Sequence, residues 1–239
     1  MKLLDLTLPS PAENLACDEA LLEAAEVGEI EEHLRFWESP QPFVVVGYAN
    51  KVATEVNVTA CETRGIPILR RCSGGGTVVQ GPGCLSYALI LRITEDGPTR
   101  SISAANQFIM DRNRTALEAL LNRSVGIQGH TDLTVEGLKF SGNSQRRRRK
   151  FLLFHGTFLL NFDLALVSEL LLMPALQPDY RASRVHREFI TNLNAASEAL
   201  RLTLRKTWGA MAPTKEVPWS GIRNLVAEKY STAEWNRKL

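Results

Sequence analysis

Residues 70–76 read Arg70-Arg71-Cys72-Ser73-Gly74-Gly75-Gly76, with Ile66-Pro67-Ile68-Leu69 before them and Thr77-Val78-Val79 after. This is the pattern of a strand, a glycine turn and a second strand. Successive glycines leave no Cβ to hold a ligand off and open backbone angles closed to other residues. Two arginines on the rim bring forked donors suited to phosphate or carboxylate. The chemistry suggested is a cradle for a charged, extended ligand; a hairpin turn with solvated arginines is the bland counterpart. No Gly-Lys-Ser/Thr follows, so the turn is not a Walker loop, and it is not a dinucleotide fingerprint either.

A second candidate group lies between Gly129 and Gln145. Lys139 sits between Gly137 and a Ser141-Gly142-Asn143 turn, and Asp132 opens a hairpin joined at Glu136-Gly137. A lysine so placed can project into a neighbouring pocket as a compact point charge. Taken alone, Lys139 is more simply a solvated lysine, and Asp132 reads equally as a turn cap. His155 stands in an apolar run, where a hydrogen-bonded core histidine is the commoner finding. No Gly-x-Ser-x-Gly elbow occurs and the four histidines are scattered, so no Ser-His-Asp signature is read. The cysteines (Cys17, Cys61, Cys72, Cys84) show no Cys-x-x-Cys pairing, which argues against a zinc site or a disulfide framework. Arg146-Arg147-Arg148-Arg149-Lys150 is the strongest charge feature; in a strand, alternate members face opposite sides.

The elements that must position these residues follow from periodicity and punctuation. Ser10-Pro11-Ala12-Glu13 is a capping box with proline at the first helical position, so a helix runs to about Val27. Arg35–Trp37 and Phe43–Val46 read as strands, and 56–64 as a short helix closed by Gly65. Strands follow at 66–71, 76–80 and 85–93. Residues 103–121 form the clearest helix, with Ala105, Phe108, Ile109, Ala116, Leu117 and Leu120 on one face. After a hairpin at 125–141, the apolar run 151–162 fits a strand buried on both faces. A helix at 164–172, an ordered loop over the site at 174–188, and helices near 194–206 and 220–230 complete the chain. This mixture predicts α+β: one mostly antiparallel sheet flanked by helices.

The 239 residues suit one medium domain or two small ones, enough for a substantial core. A net charge of +2 does not announce a nucleic-acid partner, and the basic run has no aromatic platform beside it. No basic-then-apolar leader is present and no stretch approaches the ~18 apolar residues of a membrane span. A reducing cytoplasm is the expected location.

Together, Arg70 to Gly76, Thr131-Asp132-Leu133, Lys139 to Gly142 and His155-Gly156-Thr157-Phe158-Leu159 resemble the family of lipoate–protein ligases, octanoyltransferases and biotin ligases, most closely the catalytic domain of the lipoate ligases. Weaker echoes are Asn14 to Leu21, and Trp37 followed by Val46-Gly47-Tyr48. The resemblance implies the class II synthetase and biotin-ligase type of fold, and a single catalytic domain over 1–239 without the C-terminal accessory domain that some relatives supply as a separate subunit. It implies ATP-dependent activation of lipoate to an acyl adenylate, then transfer to a lysine of a lipoyl acceptor domain or carrier. Lys139 would contact the reacting oxygens in both steps. Ser73, Gly74, Gly75 and Gly76 would meet the adenylate, Arg71 the carboxylate and phosphate end, and Val78 and Val79 the acyl chain. Asp132, Gly142, Arg146 and His155 would line the same site; magnesium is expected with ATP, its ligands unknown.

Two departures stand out. Gln80 and Gly81 replace a histidine and an aspartate common in the family. Octanoyltransferases of one branch carry the acyl chain on a cysteine after a proline, where this chain reads Met173-Pro174-Ala175. ATP-independent transfer between carriers is therefore the second reading, and a non-catalytic family member the third. A basic rim would suit an acidic acceptor domain. The segment from Gln177 to His186 has no assigned role.

Overall fold

The computed structural model describes residues 1–174 and 176–238. Its strands are β1 (Lys2–Asp5), β2 (His33–Trp37), β3 (Phe43–Val46), β4 (Ile68–Arg70), β5 (Val78–Gln80), β6 (Cys84–Arg92), β7 (Gly126–Gln128), β8 (Asp132–Val135), β9 (Leu138–Arg147), β10 (Phe151–Leu159) and β11 (Ala212–Pro213). Its helices are α1 (Pro11–Val27), α2 (Val52–Glu55), α3 (Val58–Thr63), α4 (Ile102–Leu121), α5 (Ala165–Leu170), α6 (His186–Phe189), α7 (Ser197–Trp208), α8 (Trp219–Leu225) and α9 (Ala233–Asn236).

Eight strands form one sheet in the order β11-β1-β2-β6-β10-β9-β8-β7, antiparallel from β2 onward. Strand β1 pairs parallel with β2 and β11. A smaller sheet runs β4-β3-β5, with β3 parallel to β4 and antiparallel to β5. The architecture is α+β with a mostly antiparallel sheet, as the element pattern predicts.

Both faces of the large sheet are covered. Helix α1 starts from the expected capping box, Ser10 and Glu13 each accepting from the other's backbone N–H, and stops at Gly28 in the left-handed region (φ 86). It lays Leu15, Ala16 and Leu21 over Ala88, Ile90, Phe151 and Leu153. Helices α4 and α7 cover the other face, with Ile109, Leu117, Leu200 and Leu204 packed among Phe36, Leu89, Phe154 and Phe158. Alternate residues of β10 therefore enter different cores, which is why its sequence is continuously apolar. Truncating a fully buried ring such as Phe154 would cost about 3–5 kcal/mol.

Differences from expectation are local. The helix expected over 56–64 is α3, and the unexpected short α2 precedes it, separated because Val56 is extended and bridges Leu171. Strands β1 and β11 escape the sequence reading because four and two residues carry too little alternation. The last long helix ends in a π-turn over Val226–Tyr230, followed by the unpredicted α9. Among the described residues, no helix is long and apolar enough to cross a membrane.

Candidate active site

Directly opposed residues of an antiparallel ladder share a face, so the register lays out the site. One row across the sheet is Trp37, Ser86, Thr157, Gly142 and Asp132. The next is Arg35, Ala88, His155 and Ser144. Both rows lie on the face that α1 and the small sheet cover. Gln80, from β5, reaches down to this face and donates from Nε2 to Thr157 Oγ1 at 2.5 Å.

Lys139 reaches the same face through a β-bulge. Asp132 opposes Gly142 and Leu133 opposes Ser141, but Thr134 then opposes Lys139 rather than Phe140. Phe140 is the extra residue and turns into the core beside Leu133 and Val135. Without the bulge, strict alternation would send Lys139 to the opposite face from Asp132. With it, Lys139 Nζ lies 2.8 Å from Asp132 Oδ1, both half-buried. The lysine passes directly over Gly142, where a Cβ would stand 2.9 Å from both Cε and Nζ. Behind the hairpin, Asn143 Nδ2 donates to the carbonyl of Thr131 at 2.7 Å and its Oδ1 accepts from Tyr87 at 2.7 Å, which steadies the entry to Asp132.

A buried polar chain runs through the second row. Ser73 Oγ lies 2.5 Å from His155 Nε2, His155 Nδ1 lies 3.2 Å from Asp18 Oδ2, and Asp18 Oδ1 accepts from Arg35 at 2.5 Å. Burial alone would raise the Asp18 pKa, but the Arg35 guanidinium and the His155 hydrogen bond outweigh it and hold the carboxyl below its ordinary value. Arg35 is completed by the Asn14 side chain at 2.7 Å and the Asn14 carbonyl at 2.8 Å. No local motif spells a Ser-His-Asp signature, yet the fold brings these three side chains together from α1, the glycine turn and β10. Asn14 and Asp18, one turn apart on an otherwise apolar helix face, were the available signal.

The glycine turn is open. Gly74, Gly75 and Gly76 are exposed while Cys72 and Ser73 are buried. Gly75 adopts φ +82, and a Cβ there would stand 3.0 Å from Arg71 Nη2. The arginines form neither the ligand-facing rim expected nor a solvated edge. Arg70 is fully buried and binds the carbonyls of Gly47, Asn50, Trp235 and Lys238 at 2.8, 2.7, 3.1 and 2.6 Å, stapling the C-terminal segment beneath the turn. Arg71, expected to aim at a ligand's charged end, donates to the carbonyls of Gly74 and Gly76 at 2.5 and 2.7 Å and so shapes the turn. Burial brings its pKa down to about 10, so it stays charged at neutral pH. Val78 and Val79 cannot wall one tunnel together. Val78 faces the large sheet with Gln80, whereas Val79 packs in a separate core with Val44, Val46 and Leu170.

Arg146 extends the site beyond the turn. It lies over the Tyr48 ring, 5.6 Å from its centroid. With Tyr48, Cys72, Gly74 and Gln145 it lines a cavity of about 210 Å³. Within the described residues, Arg146 Nε and Gln145 Oε1 are buried without a hydrogen-bond partner. The rest of the basic run is engaged elsewhere: Arg147 donates to Thr99 at 2.8 Å, Arg148 pairs with Glu23 at 3.0 Å, and the Arg149 and Lys150 amides bind Glu26.

All four cysteines are buried. Burial pushes the thiols of Cys17, Cys72 and Cys84 up to about 11, 12 and 12, and raises Cys61 as well. Cys72 lines the cavity, yet as a neutral thiol it is no nucleophile. The sequence position of the octanoyltransferase cysteine, Ala175, lies outside the described residues. From the same segment comes a residue that sequence reading missed: the Tyr180 hydroxyl donates to Asp132 Oδ2 at 2.6 Å.

Comparison with known proteins assigns the family. The lipoyl protein ligase A/B catalytic domain matches residues 10–206. The octanoyltransferase LipM of Brevibacillus brevis is 27% identical over 264 aligned residues, covering 95% of each chain. Lipoate–protein ligase 1 of Staphylococcus aureus is 26% identical over 242, covering 96% of this chain and 70% of its own. Among solved structures, lipoate-protein ligase A bound with ATP superposes with a TM-score of 0.85 at 24% identity, covering 99% of this chain and 98% of that one. The bipartite lipoate protein ligase of Thermoplasma acidophilum superposes with a TM-score of 0.83 at 24% identity, covering 99% and 95%. These likenesses in fold, together with a family match spanning the glycine turn, the Asp132–Lys139 hairpin and the His155 strand, show that the chain belongs to the lipoyl protein ligase A/B catalytic-domain family.

Proposed function

We propose that the chain joins a lipoyl or octanoyl group to a lysine amine of a lipoyl acceptor domain, using ATP to activate the free acid. The observation that carries this is Lys139, held by Asp132 over Gly142, on the sheet face where Ser144 binds the Gly74 carbonyl of the exposed turn at 2.8 Å. A free carboxylate is a poor acyl donor. Activation joins it to the α-phosphate of ATP with release of pyrophosphate, and the acceptor amine then displaces AMP to form the amide. Both steps build negative charge on oxygen, which a fixed cation in a water-poor site stabilises. Lys139 supplies that cation, and the open turn lets backbone approach the ligand.

The unpartnered Arg146 Nε–H fits an anionic group in this cavity, of the size of a carboxylate or one phosphate, whereas Gln145 Oε1 can only accept and calls for a hydroxyl or amine donor beside it. Among the described residues, no cluster of three or more His, Cys, Asp or Glu side chains is arranged to hold a metal. Magnesium would therefore enter with the nucleotide phosphates.

The octanoyltransferase relatives favour a second reading, transfer from a carrier thioester. Its donor carbon would be attacked directly by the acceptor amine, giving amide and free thiol, because no exposed cysteine stands among the described residues to hold the chain.

Lipoate-dependent pyrophosphate release, measured without and then with an apo lipoyl domain, separates the two. Release that continues into lipoylation, and that Lys139→Ala abolishes in a folded protein, supports the ligase. Octanoyl transfer from a carrier without pyrophosphate release overturns ATP activation. Neither activity would return the chain to a binding role.

A further inference from the structure

The segment from Pro178 to Thr191 lies against the hairpin that carries Lys139. Ile190 bridges Lys139 in parallel, and the Thr191 N–H donates to the Lys139 carbonyl at 2.9 Å. At the other end of the segment, Pro178 and Tyr180 pack on Gly129, where an added Cβ would stand 3.4 and 3.5 Å from them. The Tyr180 ring rests on Phe189 with centroids 5.2 Å apart, and Arg181 and Arg184 flank the same Phe189 ring at 4.6 and 5.4 Å. Arg181 is buried and bonds His186, which reaches the Leu172 carbonyl at 3.2 Å. The segment is therefore built around its own small core, with one hydroxyl reaching the site.

That hydroxyl meets Asp132 at one oxygen while Lys139 holds the other. Tyr180 Oη to Asp132 Oδ2 is 2.6 Å, and Lys139 Nζ to Asp132 Oδ1 is 2.8 Å. A carboxylate gripped at one oxygen can rotate about its terminal torsion; gripped at both, it cannot without breaking a bond. Gly142 leaves Lys139 no side-chain wall from below, so Asp132 is the group that fixes where the ammonium stands.

We propose that Tyr180 is a positioning residue of the acyl-transfer reaction: it locks the Asp132 carboxylate, and through it places the Lys139 ammonium over Gly142. This rests on the reading of Lys139 as the cation that stabilises the reacting oxygens. Burial, reinforced by the Asp132 charge, drives the Tyr180 pKa well above the ordinary phenol value, so it remains a donor throughout the working pH range. A phenylalanine would keep the ring on Phe189 and remove only the donor.

The test uses the full chain and its Tyr180→Phe variant, with circular dichroism and thermal melting confirming that both fold. A brief acetic anhydride pulse read by mass spectrometry gives the acetylation rate of Lys139, against exposed Lys51 and Lys215 as internal references. Loss of a hydrogen bond to a charged group should speed Lys139 labelling by on the order of tenfold, with the references unchanged. In the transfer assay kcat should fall by a similar factor while KM for the acyl donor stays within about twofold, since ground-state binding is not the lost interaction. In an Asp132→Asn background, adding Tyr180→Phe should change kcat by less than about twofold, because the route through Asp132 is already broken.

Equal Lys139 labelling in both proteins overturns the proposal. So does a full tenfold loss from Tyr180→Phe on top of Asp132→Asn. Labelling needs no turnover. If neither protein transfers an acyl group yet Lys139 labels faster in the variant, the positional coupling stands and the assigned reaction falls.

Discussion

Ser73 Oγ and His155 Nε2 stand 2.5 Å apart, and this contact ties the glycine turn to the central strand of the large sheet. Beyond His155 the chain of contacts continues to Asp18 and Arg35, both buried. The turn itself is exposed at Gly74 to Gly76, so its fixed end has to come from below. Ser73 supplies one anchor and Arg71 the other. A loop held at both ends by buried hydrogen bonds presents its backbone in one arrangement, which is what electrostatic preorganisation requires.

Replacing His155 by asparagine would shorten the reach between Ser73 and Asp18 and break the relay. Loss of about 1–3 kcal/mol of stability is expected for the buried groups left unsatisfied. Activity should fall further than thermal melting alone explains, because the turn loses its anchor. Melting and steady-state rates on the same preparation check this; unchanged kcat would show that the turn holds its shape without the relay.

Asp18 makes a pH prediction. Its folded-state pKa is lowered from 3.8, so its ionised form contributes stability fully above the unfolded value, and that contribution is lost as pH falls through the folded value. Asp18→Asn leaves Arg35 buried opposite a neutral group and should cost about 3–5 kcal/mol near neutral pH. Chemical denaturation between neutral pH and pH 3 should show the wild-type advantage shrinking only below the ordinary aspartate range. An advantage independent of pH would remove the ion pair from the account.

Gly142→Ala probes the seat of Lys139. The added methyl would stand 2.9 Å from Cε and Nζ, which are the far end of a flexible side chain. The fold should survive with a stability change within about 1 kcal/mol, since the lysine can swing aside. Swinging aside removes it from the site, so kcat should fall about a hundredfold or more, as when a charge-stabilising donor is lost. Wild-type activity in this variant would show that Lys139 works from another position.

Alkylation tests whether a cysteine of this chain carries the acyl group, which neither of the two routes requires. Every thiol is buried, with Cys72 and Cys84 raised to about 12. Iodoacetamide at neutral pH should leave the native protein unlabelled and its transfer activity intact. Rapid inactivation with one cysteine modified would point to a thioester intermediate.

Much of this arrangement is written locally in the chain. The capping box of α1, the apolar run of β10, the turn at Gly74–Gly76 and the hairpin with Asp132 and Lys139 each follow from neighbours in sequence. Composition and cysteine spacing bounded the chemistry, and the ordered motifs pointed to the family. Tertiary structure decided which face each side chain serves. One inserted residue at Phe140 turns Lys139 toward Asp132, and side-chain alternation turns Val79 away from Val78. Arg70 and Arg71 carry charge in the sequence, but packing surrounds them with carbonyls and makes them struts. Asp18, Ser73, His155 and Tyr180 lie far apart along the chain, and sequence reading of short motifs cannot see such meetings. They arise because strand register is set by burial of whole faces, and a shift of one residue exchanges everything that those faces present.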